Sequence, residues 1–391
     1  MNANLNWLEQ YIERNRDEML EFWKDLVNLQ GYSKETERVN QVIERVKLEF
    51  ERNGFHCRRE SSQGNADVLI GILGEDRKKE PLIFTGHVDT VFPQGSFEES
   101  PFYIEGNHAF GPGVMDMKGG IVIALYAAKA LNELHYEERP LKIIFVGDEE
   151  IGHTESISDQ IIAREAAGAV CAFNLEPGRM DDCLTVGRKG NIDCHVTVHG
   201  IGGHVGNAFL QGRNAIEEMA HKIIQLQSLT DYKNGNVVSV DVIEGGTVSN
   251  AIPDRCKVEI DCRFLESSQM EVIKNQIQEV CSKTYIDGTV TEVDFVNSMP
   301  AFESTDRIMS LYHFINTIAQ ENSLQEYGYK IVGGNSDAAY ISQVGTPVIC
   351  SCGVKGDKAH TKQEYAFVDS LFERTKLFVL VILEFHRFER M

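Results

Sequence analysis

Residues 81–90 read PLIFTGHVDT, an apolar run that ends in glycine, a histidine and, two residues later, an aspartate. Apolar character that continues residue after residue, instead of alternating, is what a strand covered on both faces requires. Working outward, the same grammar repeats. ADVLIGIL (66–73) precedes it; the apolar helical stretch Met117 to Leu134, then LKIIFVGDEE (141–150), a further helical stretch and GAVCAFNLEP (168–177) follow. Before all of these, apolar residues at helical spacing (Leu8, Tyr11, Ile12, Met19, Phe22, Trp23, Leu26), a break at Gly31 and a second set (Val39, Val42, Ile43, Val46, Leu48) predict two amphipathic helices. Strands alternating with helices imply an α/β fold, a mostly parallel sheet flanked by helices on both faces.

The pattern changes near Gly190. IDCHVTVHG alternates as a half-buried strand, Asn214 to Leu229 reads as a helix, VVSVDVI and CKVEIDCRF as strands, Ser267 to Cys281 as a helix and TEVDFV as a strand. This β-α-β-β-α-β order is that of a compact α+β, ferredoxin-like unit. After Ser298 the first grammar returns, with a helix near Ser310, GGNSDAAYIS opening another, PVICSCG as a strand and a closing helix from Leu371 to Phe385. Residues 1–186 and 298–391 are therefore expected to form one domain, interrupted by a second at 187–297.

Composition narrows the class of function. The 391 residues carry 38 Lys and Arg against 59 Asp and Glu, a net charge of −21 that repels a phosphate backbone and an anionic membrane surface. Nucleic acid and membrane partners are not expected. Nine scattered Cys with no C-x-x-C pair suit a reducing, cytoplasmic compartment, and Cys350 and Cys352, two apart in PVICSCG, read as buried thiols on one strand face. No basic segment followed by an apolar run opens the chain, and FVLVILEF near its other end is too short to span a bilayer.

The informative side chains fall where a parallel sheet binds ligands, beyond the carboxyl ends of its strands. His87 and Asp89 end one strand, Asp148-Glu149-Glu150 another and Glu176 a third; Asp116 follows the glycine-rich turn GPGVMD, and His360 lies beyond PVICSCG. Alone, a His-x-Asp pair or a DEE triplet is a solvated feature; their joint placement is what carries meaning. Imidazoles and carboxylates in this number suit two divalent metal ions, with one carboxylate bridging and one His and one Glu for each ion. Of the adjacent Glu149 and Glu150, one can bind metal while the other stays free to move protons. Asp89 is placed to accept the second ring N–H of His87 and fix its tautomer.

GHVDTV, GPGVMDMKGG, GDEEIG, EPG and AHTKQEY together resemble, in order and spacing, the motifs of the co-catalytic di-zinc peptidases. That family includes glutamate carboxypeptidase, acetylornithine deacetylase, succinyl-diaminopimelate desuccinylase and aminoacylase. The resemblance implies that His87, Asp116 and Glu176 hold one ion and Asp116, Glu150 and His360 the other, zinc first, with cobalt or manganese as alternatives. It makes Glu149 the general base and acid, Asp89 the partner of His87 and the Asp116–Met117 peptide bond cis. HGIGGHVGN with GRNAI resembles the family's lid motif, so His204 is expected to reach the partner subunit's site and stabilise an oxyanion, although the usual proline is missing near Phe209 and Leu210. GGTVSNAIPDRCKVEIDCRF resembles the lid segment whose Asn and Arg hold a substrate carboxylate, here Asn250 and Arg263. GGNSDA resembles the substrate loop, with Gly334 as a backbone contact and Asn335 as an N-cap. A lysine that glutamate carboxypeptidase carries after its glutamate ligand has no match; Arg188 and Lys189 are the nearest basic residues.

The sequence thus points to a homodimeric metallopeptidase acting on a small peptide or N-acyl amino acid, cleaving an amide next to a free carboxylate and releasing a C-terminal amino acid. An N-acyl-amino-acid deacylase or desuccinylase and a di- or tripeptidase are the enzymatic alternatives; a catalytically silent dimeric binding protein is the non-enzymatic one. Intact ligand positions and Glu149 count against the last.

Overall fold

The computed structural model describes residues 3–390. The chain folds as two compact units, the first holding everything up to Gly187, Ser304–Ile331 and the chain from Ser336 onward, the second Arg188–Glu303 and Val332–Asn335.

The first unit is built on a six-stranded sheet in the order His56–Glu60, Val68–Leu73, Leu141–Val146, Leu82–His87, Cys171–Asn174, Val348–Ile349. The two pairings at the His56 edge are antiparallel and the other three are parallel. Within the strands Leu141–Val146, Leu82–His87 and Cys171–Asn174 every residue but Lys142 is buried, which is why their sequences are continuously apolar. Register aligns their carboxyl ends: His87 lies opposite Val146 and Thr85 opposite Asn174. The residues after these strands, Asp148 to Glu150 and Glu176, are thereby delivered to one edge.

The helices Ala3–Leu29, Gly119–Glu133 and Val368–Leu383 pack against one another. The helix Thr36–Arg52 packs on the strands His56–Glu60 and Val68–Leu73 through Val39, Val42, Ile43, Val46 and Phe50. Leu48, expected on that face, is instead exposed, because Phe50 four residues after Val46 continues the buried stripe. Gly120 shows why the helix after Asp116 opens with paired glycines: a Cβ there would sit 2.5 Å from the carbonyl oxygen of Leu175, so the helix approaches the Glu176 strand end closely. The strand expected over PVICSCG stops at Ile349; Cys350 and Cys352 are buried thiols, with Ser351 between them at φ 63°.

A small four-stranded sheet (Tyr103–Glu105, His108–Phe110, Tyr365–Phe367, Gly356–Asp357) and a two-stranded pair (Cys183–Arg188 with Gly328–Val332) also form. The strands of the small sheet are only two or three residues long, too short for any periodicity to register.

The second unit carries a fully antiparallel four-stranded sheet in the order Val237–Gly245, Arg255–Phe264, Gly190–His199, Val290–Met299. With the helices Ala215–Gln227 and Gln269–Ser282 this is the split β-α-β arrangement read from the sequence. Its core is one apolar layer in which Cys194, Val196 and Val198 meet Cys256, Val258, Ile260 and Met219. Asn214 caps its helix, accepting from the N–H groups of Ile216 and Glu217 at 3.0 and 3.1 Å.

Candidate metal centre and catalytic site

The carboxyl edge of the parallel strands gathers the side chains of the first unit that the sequence singled out. Asp116 is central. Its Oδ1 lies 3.1 Å from His87 Nε2 and its Oδ2 3.4 Å from His360 Nε2, so its two oxygens face two different imidazoles. Glu176 Oε1 stands 3.6 Å from His87 Nε2, and Glu150 Oε2 3.1 Å from His360 Nε2. Donor atoms of His87, Asp116 and Glu150, and likewise of His87, Glu149 and Glu176, come within 4.8 Å of one another.

The backbone places these groups tightly. Asp116 sits in the irregular turn Val114–Lys118, which follows Gly113 at φ 70°, and the Asp116–Met117 peptide bond is cis. Trp23 Nε1 donates to the carbonyl of Val114 at 3.0 Å, tying the first helix to this turn. Glu364 holds its other side, accepting from the N–H groups of Gly113, Met115 and Asp116 at 3.1, 2.8 and 3.1 Å. Asp89 links two strand ends: its Oδ1 is 3.3 Å from His87 Nδ1, and its Oδ2 accepts from the N–H of Glu150 at 3.2 Å. The carbonyl of Asp89 also lies 3.2 Å from His87 Nδ1.

Electrostatics follow from this crowding. Burial would raise the proton affinity of Asp116, but the hydrogen bonds from His360 and His87 outweigh it and hold the carboxyl below its usual range. Burial opposes a charged His87, yet Asp116, Asp89, Glu176 and Glu149 push its proton affinity well above normal. Glu149 is raised well above an ordinary carboxylate, first by burial and then by the charges of Glu176, Asp337 and Glu150, with His87 working the other way. Asp89, Asp116, Glu149, Glu150 and Glu176 thus crowd together with two imidazoles. Such an excess of negative charge over nitrogen donors is what bound divalent cations offset, and the mixed imidazole and carboxylate donor set fits transition ions.

The remaining sequence-selected residues belong to the second unit and do not form one cluster there. His204 and Asn250, both exposed, lie side by side, with His204 paired to Ala251 and the N–H of Val205 bonded to the carbonyl of Asn250 at 3.1 Å. Arg263 sits at the opposite end of the sheet, next to Asn191 in register, and its guanidinium grips Asp261 at 2.7 and 2.6 Å. Gly334 is exposed, and its carbonyl accepts from Arg188 at 3.1 Å. Asn335 is not the N-cap expected of it: the helix Ala338–Gln343 starts after Asp337, and Asn335 Nδ2 donates to Asn191 Oδ1 at 2.6 Å instead. Glu364, His153, Asp148 and Asp337 are structurally central but were not assigned roles from sequence; Glu364 stood in the quoted AHTKQEY, and its only signal was its spacing of four from His360.

Residues 83–384 match the Peptidase family M20/M25/M40. The chain belongs to that family. It is a metallohydrolase, as the family and the donor set together require. Among relatives it is 26% identical over 364 residues to carboxypeptidase G2 of a Pseudomonas species, covering 92% of this chain and 87% of that protein. It is also 26% identical over 339 residues to a succinyl-diaminopimelate desuccinylase of Gluconobacter oxydans, covering 81% and 85%. The fold superimposes on an aminopeptidase, PepT, of Bacillus cereus with a TM-score of 0.79 at 20% identity, covering 95% of this chain and 98% of that one. A Sulfolobus solfataricus metallo-carboxypeptidase of the M20 family gives 0.75 at 16% identity, covering 93% and 98%. Among the described residues no helix of this family member is long and apolar enough to cross a membrane.

Proposed function

We propose that the protein hydrolyses an amide bond next to a free carboxylate and releases a C-terminal amino acid, using two divalent ions. His87, Asp116 and Glu176 would hold one ion and Asp116, Glu150 and His360 the other. The observation that carries this is Asp116, whose two oxygens face two separate imidazoles, each with its own glutamate beside it. Bound there, zinc, or else cobalt or manganese, supplies Lewis acidity and makes a water acidic enough to attack at neutral pH.

Glu149 takes the proton of the attacking water and returns it to the leaving amine; a carboxylate whose proton affinity is raised by burial and neighbouring charge suits that double duty. Asp89 fixes the orientation of His87. To His204 of a second copy we assign the stabilisation of the developing oxyanion, to Asn250 and Arg263 the substrate carboxylate, and to Gly334 a backbone contact. Arg263 then exchanges Asp261 for the substrate, a trade between two carboxylates that costs less than desolvating a free guanidinium. Homodimer pairing through the second unit is supported by exposed Ile216, Ile224, Val242 and Ile243 on its helix and edge strand. We also place the protein in the cytoplasm, because its cysteines form no disulfide among the described residues.

The similarity to carboxypeptidase G2 supports the carboxypeptidase reading. The match to a desuccinylase supports a second one, deacylation of an N-acyl amino acid. Metal-depleted protein reconstituted with measured equivalents of zinc, cobalt or manganese, then assayed on peptidyl and N-acyl amino acids, separates them. Activity that climbs until two equivalents are bound is expected; full activity at one equivalent, or none on any substrate, contradicts the proposal.

A further inference from the structure

Behind the glutamates of the DEE turn lies a buried ion cluster that the hydrolytic steps do not use. The imidazole of His153 spans two carboxylates, with Nδ1 2.9 Å from Asp148 Oδ1 and Nε2 2.7 Å from Asp337 Oδ1. Asp148 is fully buried, Asp337 is 1% exposed and His153 6%. A ring whose two nitrogens both meet carboxylate oxygens donates from both, which makes it an imidazolium between two anions. Burial alone opposes that charge, but Asp337 and Asp148 together raise the proton affinity of the ring well above normal.

The two carboxylates belong to segments far apart in sequence. Asp148 immediately precedes Glu149 and Glu150, and its Oδ2 accepts from the hydroxyl of Ser156 at 2.5 Å and from Asn65 Nδ2 at 3.1 Å. Asp337 opens the helix Ala338–Gln343; its Oδ2 is buried without a hydrogen-bond partner among the described residues, so His153 is what compensates its charge. Tyr340 of that helix packs its ring 5.6 Å from the His153 ring. The backbone of His153 is in the left-handed region at φ 56°, a conformation a non-glycine residue keeps only when its surroundings enforce it.

We propose that His153 is a positioning residue: bridging Asp148 and Asp337, it locks the Glu149–Glu150 turn onto the segment that starts at Asp337 and so fixes where the Glu149 carboxylate stands. The inference rests on Glu149 as the proton carrier and adds what holds it. Misplacement of a reacting group by about 1 Å is enough to cost about a hundredfold in rate.

The test uses the metal-loaded enzyme as wild type, His153→Gly, Asp337→Asn and the double variant. Glycine adopts the φ of residue 153 freely, so His153→Gly removes the ring without straining the turn. We expect kcat to fall by at least about tenfold with KM within about threefold and metal content unchanged. Backbone amides of residues 148–157 and 336–343 should lose exchange protection together, added imidazole should restore much of the kcat of His153→Gly, and the double variant should be no slower than the worse single one. A kcat within about twofold of wild type, loss of protection in one segment alone, or no recovery with imidazole overturns the proposal. Should His153→Gly not fold, Asp337→Asn carries the same kinetic and exchange readouts. If wild type itself cleaves nothing, the hydrolytic reading fails, while coupled exchange of the two segments still decides the role of His153.

Discussion

Asp116 does at the scale of one residue what the whole site depends on, since a carboxylate with an imidazole on each oxygen can serve two ions at once. Beside it, Glu149 approaches His87 and Glu176 closely enough to be a ligand itself. The two roles separate by experiment. Glu149→Gln is expected to lower kcat by about 10²- to 10⁴-fold while metal content by elemental analysis stays at the wild-type level; loss of metal would make Glu149 a ligand instead of a proton carrier. Both were legible in the sequence, Glu149 because it follows a strand end and Asp116 because it follows the glycine-rich turn GPGVMD, each in a motif of its own. His153 was not, because nothing in DEEIGH marks its ring as meeting Asp337, 184 residues away. Arg263 was legible as a guanidinium on a strand with Asp261 beside it on the same face, and the structure joins the two by paired hydrogen bonds at 2.7 and 2.6 Å.

At the scale of elements, a short turn and its buffers position the chemistry. Glu364 accepts three backbone N–H groups of the Asp116 turn, and burial together with the Asp116 charge lifts its proton affinity to about 7. Glu364→Ala leaves those donors unsatisfied and frees the turn; metal affinity, measured by competitive titration, should fall by about 10- to 100-fold. In the second unit the buried pair Glu218 and Lys222 does comparable work for folding. Glu218 Oε1 lies 2.9 Å from Lys222 Nζ, and its Oε2 accepts from the N–H groups of Tyr285 and Ile286 at 2.8 and 2.6 Å. Burial raises the proton affinity of Glu218, but Lys222 and these N–H groups win and lower it. A carboxylate depressed in the fold stabilises above its unfolded pKa, about 4.3, and loses that contribution as pH falls through the lower folded value. Glu218→Ala should therefore cost about 3–5 kcal/mol in chemical denaturation at pH 7, with the gap from wild type constant down to about pH 5 and shrinking below about pH 4. The long buried strands and helices were readable from periodicity; the strands of the small sheet, two or three residues each, carry no periodicity to read.

For the whole molecule, the acidic excess of −21 first served only to argue against nucleic acid and membrane surfaces. The structure gives part of it a place: five carboxylates, −5 when ionised, gather at one sheet edge, where two divalent cations, +4, would offset most of the charge and relieve the repulsion. On the proposed reading, the bound ions would attract an anionic substrate end locally, against the field of an acidic surface. Hydrolysis of matched pairs, N-acyl or peptidyl amino acids with a free C-terminal carboxylate and the same compounds as C-terminal amides, tests this most directly on metal-loaded protein. The expected result is cleavage of the free acids that disappears on chelation, with the amides slower by at least about a hundredfold, as loss of a charged partner requires; equal cleavage of acids and amides, or cleavage that survives complete metal removal, would contradict it.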